Sequence, residues 1–189
     1  EIYPPLDFPK VTDELLWDSS DSDYNKRQNL LLGLDHQISA SFYAKASKYT
    51  DQRVLDSVDS DCLNDGKRAS SLDKIDNGEW FFAPNGHGEI NIFYDLGKLS
   101  SVDTVVFDFM ERGEWGIIRP QNTDVYLSEN GSDWYKVGDQ DALGTRSHTG
   151  SFMEYEFKLD KAYAARFVRF RIECNGWMLI DELSVYGKK

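Results

Sequence analysis

EINIFYDLGKLSSVDTVVFDF, residues 89–109, decides the fold class. Its first half puts Ile90, Ile92 and Tyr94 on one side, and its second half does the same with Val105, Phe107 and Phe109. A period of two belongs to a strand, whose side chains alternate between faces. A large apolar side chain gains about 1.5–3 kcal/mol when fully buried. Both strands therefore need a covering layer.

Working outward, the pattern recurs. In ARFVRFRIE (165–173), Val168, Phe170 and Ile172 face one way while Phe167, Arg169 and Arg171 face the other. MEYEFKL (153–159) and WMLIDELSVYG (177–187) read as further strands, and NLLLG (29–33) as a short apolar strand stopped by Gly33. TDVYLSENGSDWYKVG (123–138) reads as strand, turn, strand, with Asn130-Gly131 suited to a two-residue primed turn. The stretch 35–58 alternates locally and has room for one helical turn, but no window supports a crossover helix. Many short strands with turns between them predict an all-β sandwich.

Composition narrows the function. Asp and Glu number 33 against 21 Lys and Arg, a net charge of −12, so a nucleic acid would meet a repulsive mean field. No run is apolar enough to span a bilayer as a helix. Residues 1–24, with Pro4, Pro5, Pro9 and the acidic DSSDSD run, read as an N-terminal extension or linker, and 25–189 as one domain. The start at Glu1 without Met leads to the expectation of a chain excised from a longer secreted or cell-surface protein. Two cysteines, Cys62 and Cys174, are too few for a disulfide scaffold, leaving two buried thiols or one bridge. His36, His87 and His148 form no metal-binding run, and neither a nucleophile elbow nor a phosphate loop occurs. No enzyme is expected.

Five fragments in order carry a resemblance: Leu63-Asn64-Asp65-Gly66; Asp95-Leu96-Gly97-Lys98; Val125-Tyr126-Leu127-Ser128 with Gly131 and Trp134; Ala165-Arg166-Phe167-Val168-Arg169-Phe170; and Asp181-Glu182-Leu183-Ser184-Val185-Tyr186-Gly187. Together they resemble the discoidin, or coagulation-factor (F5/8) type C, group of galactose-binding-like domains, which includes carbohydrate-binding modules of bacterial glycoside-degrading proteins. The resemblance implies a discoidin-like jelly-roll β-sandwich. It also implies a structural calcium ion joining the early loop to the C-terminal acid. Carried over by position, the ligands are Asp65 and Glu182, with Leu63, Gly66, Lys67 and Ser71 as backbone or hydroxyl contributors. The alternative is that NDG is only a turn and Glu182 only an exposed acid.

A sugar site needs a flat ring for the apolar sugar face and directional groups for hydroxyls. ERGEWGIIRP (111–120) offers Trp115 between glycines, with Arg112, Glu114 and Arg119 nearby. APNGHGE adds Asn85 and His87, and CNGWML adds Asn175 and Trp177. Trp115 capping the barrel end, with Arg119 pairing to an acid, is the competing reading. Trp80 and Trp134 read as structural, while Trp17, Tyr43 and Tyr49 are not placed. The expectation is a non-catalytic carbohydrate-binding module, monomeric in isolation, with a neighbouring enzyme or adhesion module as further partner. A protein-binding, adhesion or spacer module is the alternative. A lipid-binding version would instead expose a spike of Trp115, Ile117 and Ile118.

Overall fold

The computed structural model describes residues 27–42, 61–69, 79–141, 144–149 and 152–189. The expectations for residues 1–24 and for Ser71 fall outside these residues, as do the side chains of Asn85, His87 and His148. The described elements are β1 (Gln28–Asn29), β2 (His36–Phe42), β3 (Phe81–Met110), β4 (Asn122–Ser128), β5 (Tyr135–Asp139), β6 (Gly144–Thr149) and β7 (Phe152–Lys188). The only helical turns among the described residues are 3-10 turns at Asp61–Leu63 and Gly113–Trp115.

The two long strands each serve both layers. In the first layer the order is β2, β3 from 81 to 95, β7 from 167 to 180, β4 and β5, with Ile92 opposite Phe170 and Val125 opposite the same Phe170. In the second, β3 beyond Ser100 lies between two passes of β7. Val105 faces Phe157 on one side and Val185 on the other, with β6 and β1 outermost. All pairings between named strands are antiparallel.

The alternating apolar residues of the two layers meet in one core. Ile90, Ile92, Tyr94, Val168, Phe170 and Ile172 from the first pack in the same cluster as Val105, Phe107, Phe109, Tyr155, Phe157, Leu183 and Val185 from the second. Phe107, Phe109, Phe157 and Phe170 are completely buried, and removing such a ring costs about 3–5 kcal/mol. The opposite side of the first layer is polar, as alternation requires. There Arg171 pairs with Glu89 (2.6 Å), Asp124 (2.9 Å) and Glu173 (2.8 Å), and Arg169 donates to Asn91 (2.7 Å). Phe167, which points to this side, is still buried, with the Arg166 guanidinium 5.0 Å from its ring centre.

The motif fragments are joints between the layers. Asp95, where β3 turns from one layer to the other, accepts two 2.8 Å bonds from Arg166 and another from the Gly97 N–H. Asn64 donates to the carbonyls of Leu31 (2.6 Å) and Leu34 (2.9 Å). Asn29 donates to Ser184 and accepts from the Val185 N–H.

Two local expectations are corrected. NLLLG is not a strand beyond Asn29. Leu30 and Leu31 are buried, the chain turns with a Leu34 N–H to Leu31 carbonyl bond, and Leu32 is left exposed. Asn130-Gly131 is not a two-residue turn, because the connection runs from Glu129 to Trp134. Its shape comes from side chains: Asn130 Oδ1 accepts from Ser132 and Asp133 N–H, and Ser128 Oγ from the Gly131 N–H. Of the cysteine alternatives, the bridge is not formed, and both thiols are buried.

Candidate functional site

Three chain segments meet at one end of the sandwich. Arg112 and Ile117 close the segment around Trp115, with Arg112 N–H to Ile117 carbonyl at 2.9 Å and the reverse bond at 3.1 Å. The 3-10 turn between them ends at Gly116, whose φ of 71° is a left-handed position that favours glycine. Ile117 then bridges in parallel to Trp177, and the Ile118 N–H donates to the Trp177 carbonyl at 3.0 Å. On the far side of that segment, Gly86 lies opposite Gly176 and His87 opposite Asn175. Gly176 permits the approach: a Cβ there would stand 2.9 Å from Ile118 Cδ1.

Beneath this end lies a second apolar cluster of Ala69, Trp80, Met110, Ile117 and Leu179, with Phe152 and Trp177 partly buried against it. Phe152 stacks on Trp80 at 5.5 Å. Trp80 is thus a core residue, and Trp134 is half-buried edge-on against Phe93. Trp177 is half-buried, Asn175 and Arg119 are exposed, and Ile117 is only 3% exposed. The spike of Trp115, Ile117 and Ile118 therefore reduces to its tryptophan. Trp115 is 43% exposed, and the other large hydrophobic exposed among the described residues is Leu32.

The surroundings of Trp115 were not readable from spacing. The Arg112 guanidinium stands 3.4 Å from the indole centre, and its Nε donates to Glu114 Oε1 at 2.8 Å. That bond holds the Glu114 carboxyl below its usual pKa. Arg112 is therefore engaged within its own loop.

The candidate cation loop lies next to the same cluster through Ala69. Glu182 receives the Gly66 N–H on both carboxylate oxygens (3.2 and 3.3 Å), and Asp181 receives the Ala69 N–H at 2.9 and 3.1 Å. Asp65 accepts the Lys67 N–H at 2.7 Å. Glu182 is buried, so it is not the exposed acid of the competing reading. Burial pushes its carboxyl up to about 8, and the charges of Asp65, Asp181 and Asp108 add to the effect. Burial likewise pushes Asp181 up to about 7, and Asp108 up to about 6 despite its 3.2 Å ion pair with Arg68. Asp108 Oδ1 is buried without a hydrogen-bond partner. Asp108 was missed because its nearness to Asp181 and Glu182 is set by the pairing of β3 with β7 rather than by sequence distance, and Asp181 because its burial is not legible in the motif.

Oxygen donors that are buried, acidic and mutually repelling suit a hard cation. Among the described residues no three Asp, Glu, His or Cys side chains converge to hold a metal by themselves. Backbone carbonyls of the loop carrying Leu63, Gly66 and Lys67 would have to complete a coordination shell.

Comparison with known proteins places the fold. The family model of the F5/8 type C domain matches residues 44–183. β1 and β2 precede that match yet pair into the layers. Among solved structures, chitosan-binding module 1 from a chitosanase/glucanase of Paenibacillus sp. IK-5 is similar at 16% identity and a TM-score of 0.52, covering 85% of this chain and 99% of that one. A fucolectin from striped bass serum, Morone saxatilis, is similar at 16% identity and a TM-score of 0.52, covering 86% of this chain and 49% of that one. At such identities the likeness is one of fold. No protein of curated function matches the chain.

Proposed function

We propose that this chain, which belongs to the F5/8 type C domain family, is a non-catalytic module that binds a glycan at the end carrying Trp115. The observation that carries the reading is the exposed indole of Trp115, on a loop whose backbone joins a segment bearing hydrogen-bonding groups. Ile117 and Ile118 join its loop to the segment bearing Asn175 and Trp177, and exposed Arg119 follows directly. A sugar ring needs such a combination: one flat apolar face and several directional donors and acceptors. A protein partner needs a contiguous apolar patch, and the described residues offer here a single ring.

Asn85, His87, Asn175, Trp177 and Arg119 complete the proposed surface, while Arg112 acts from behind the ring. Calcium is proposed as a structural ion held by Asp65 and Glu182, with carbonyls of Leu63, Gly66 and Lys67 and the Ser71 hydroxyl. When bound it would supply positive charge to buried carboxylates. The residues themselves tie the loop to the last strand. An extracellular or cell-surface setting, beside an enzyme or adhesion module, accords with such a role.

The test is a glycan array probed with the calcium-loaded protein, followed by titration of a hit with wild type and Trp115→Ala. A hit lost in the variant, with the thermal midpoint unchanged, supports the proposal. No hit across neutral and acidic glycans, or a hit indifferent to Trp115, overturns it.

A further inference from the structure

An exposed tryptophan on a surface turn should sample several rotamers, and ordering it on binding would cost affinity. Trp115 is instead held from one side. The guanidinium of Arg112 stands 3.4 Å from its ring centre, a stacking distance, and Arg112 is itself pinned by the 2.8 Å bond from Nε to Glu114. The backbone fixes both ends of this arrangement. Arg112 and Ile117 exchange two hydrogen bonds, and the Trp115 N–H donates to the Arg112 carbonyl at 3.0 Å. Guanidinium and indole therefore leave the same short turn, which keeps their Cα atoms close, and the Glu114 bond opposes rotation of Arg112 away from the ring. Arg112 is largely covered, its side chain 21% exposed, whereas Glu114 is 66% exposed.

We infer that Arg112 is a positioning residue and not a glycan contact: stacked on Trp115 and clamped by Glu114, it holds the indole in one pose with its remaining face open. The role in binding rests on the reading of Trp115 as the stacking ring, but the hold on the indole does not. The chemistry accounts for each residue type. A planar guanidinium stacks on a ring while its edge donates to a carboxylate, which a lysine ammonium cannot reproduce. One covered face also limits Trp115 to stacking on one sugar unit, with no sandwiching between two.

The test uses the full chain with its tryptophan indoles labelled with nitrogen-15, the Trp115 signal being assigned from Trp115→Phe. Relaxation of the Trp115 indole N–H is measured without glycan in wild type, Arg112→Lys and Glu114→Ala, and binding is then titrated with the array hit. Glu114→Ala is a surface change that removes the acceptor and leaves folding intact if Arg112→Lys does not. The expected result is a Trp115 indole that becomes mobile on the fast timescale in both variants, with affinity about two- to five-fold weaker, as loss of one cation–π contact implies. An indole as rigid in both variants as in wild type overturns the inference. So does an affinity loss in Arg112→Lys without any gain in mobility, which would make Arg112 a direct contact. If mobility rises while neither Arg112→Lys nor Trp115→Ala alters binding, the hold on the indole stands and the placement of the glycan on Trp115 falls.

Discussion

Glu182→Gln separates a buried acid from a cation ligand in one substitution. Without a cation, the folded protein keeps Glu182 buried with its carboxyl pushed from 4.5 to about 8. A carboxyl that binds its proton more tightly folded than unfolded makes stability fall as pH rises. The cost is absent below the unfolded value, grows between about 4.5 and 8, and is complete above that. At 1.36 kcal/mol per pKa unit, ionising this group between pH 5 and pH 8 costs about 3 kcal/mol of stability. Glutamine keeps an oxygen for the Gly66 N–H and removes the charge. In chelator, wild type should therefore lose about 3 kcal/mol more than the variant over that pH range, as read by urea denaturation. With calcium most of that gap closes. Wild type gains stability by selective binding to the folded state, about 2.7 kcal/mol at a hundred-fold excess over Kd, and the variant gains little. A variant less stable than wild type at pH 8 in chelator would refute the burial argument, and one that retains the full calcium response would refute the assignment of Glu182.

Asp95→Asn should leave the buried Arg166 guanidinium, 4% exposed, short of its charge partner at the joint between layers. The expected loss is about 3 kcal/mol, or a thermal midpoint lower by roughly 10 °C; an unchanged midpoint would remove the joint from the account. Cys62 and Cys174, buried and not bridged by a disulfide, should resist a thiol reagent in the native protein and titrate as two thiols in denaturant, and burial holds the Cys174 thiol up at about 12. Rapid native labelling would contradict their burial. Gly176→Ala should strain the backbone at its φ of 138°, push Ile118 away from the β7 segment, and both lower the midpoint and weaken glycan binding; unchanged affinity would remove this junction from the proposed site.

The alternation in residues 89–109 and 165–173 was sufficient to identify the apolar sets that now form the core, because a strand's side-chain period is local. The motif residues were legible as motifs but not as joints: Asp95 and Arg166 are 71 positions apart and meet only after β3 and β7 pair. NLLLG misled because an apolar run has no period of its own, and Asn130-Gly131 because Ser128 and Asn130 side chains organise a longer loop than the dipeptide alone prefers.

By itself, the sequence determined that this chain builds a two-layer β-sandwich, since patterning and turn residues act over a few positions. It also marked Trp115 and Glu182 as residues to watch. Only the tertiary structure decided that Arg112 lies on the indole and pairs with Glu114. Only it decided that Glu182 is buried beside Asp65, Asp181 and Asp108 and not left in water. Stacking, burial and the field felt by a carboxyl depend on which distant strands become neighbours, and pairing across the layers settles that.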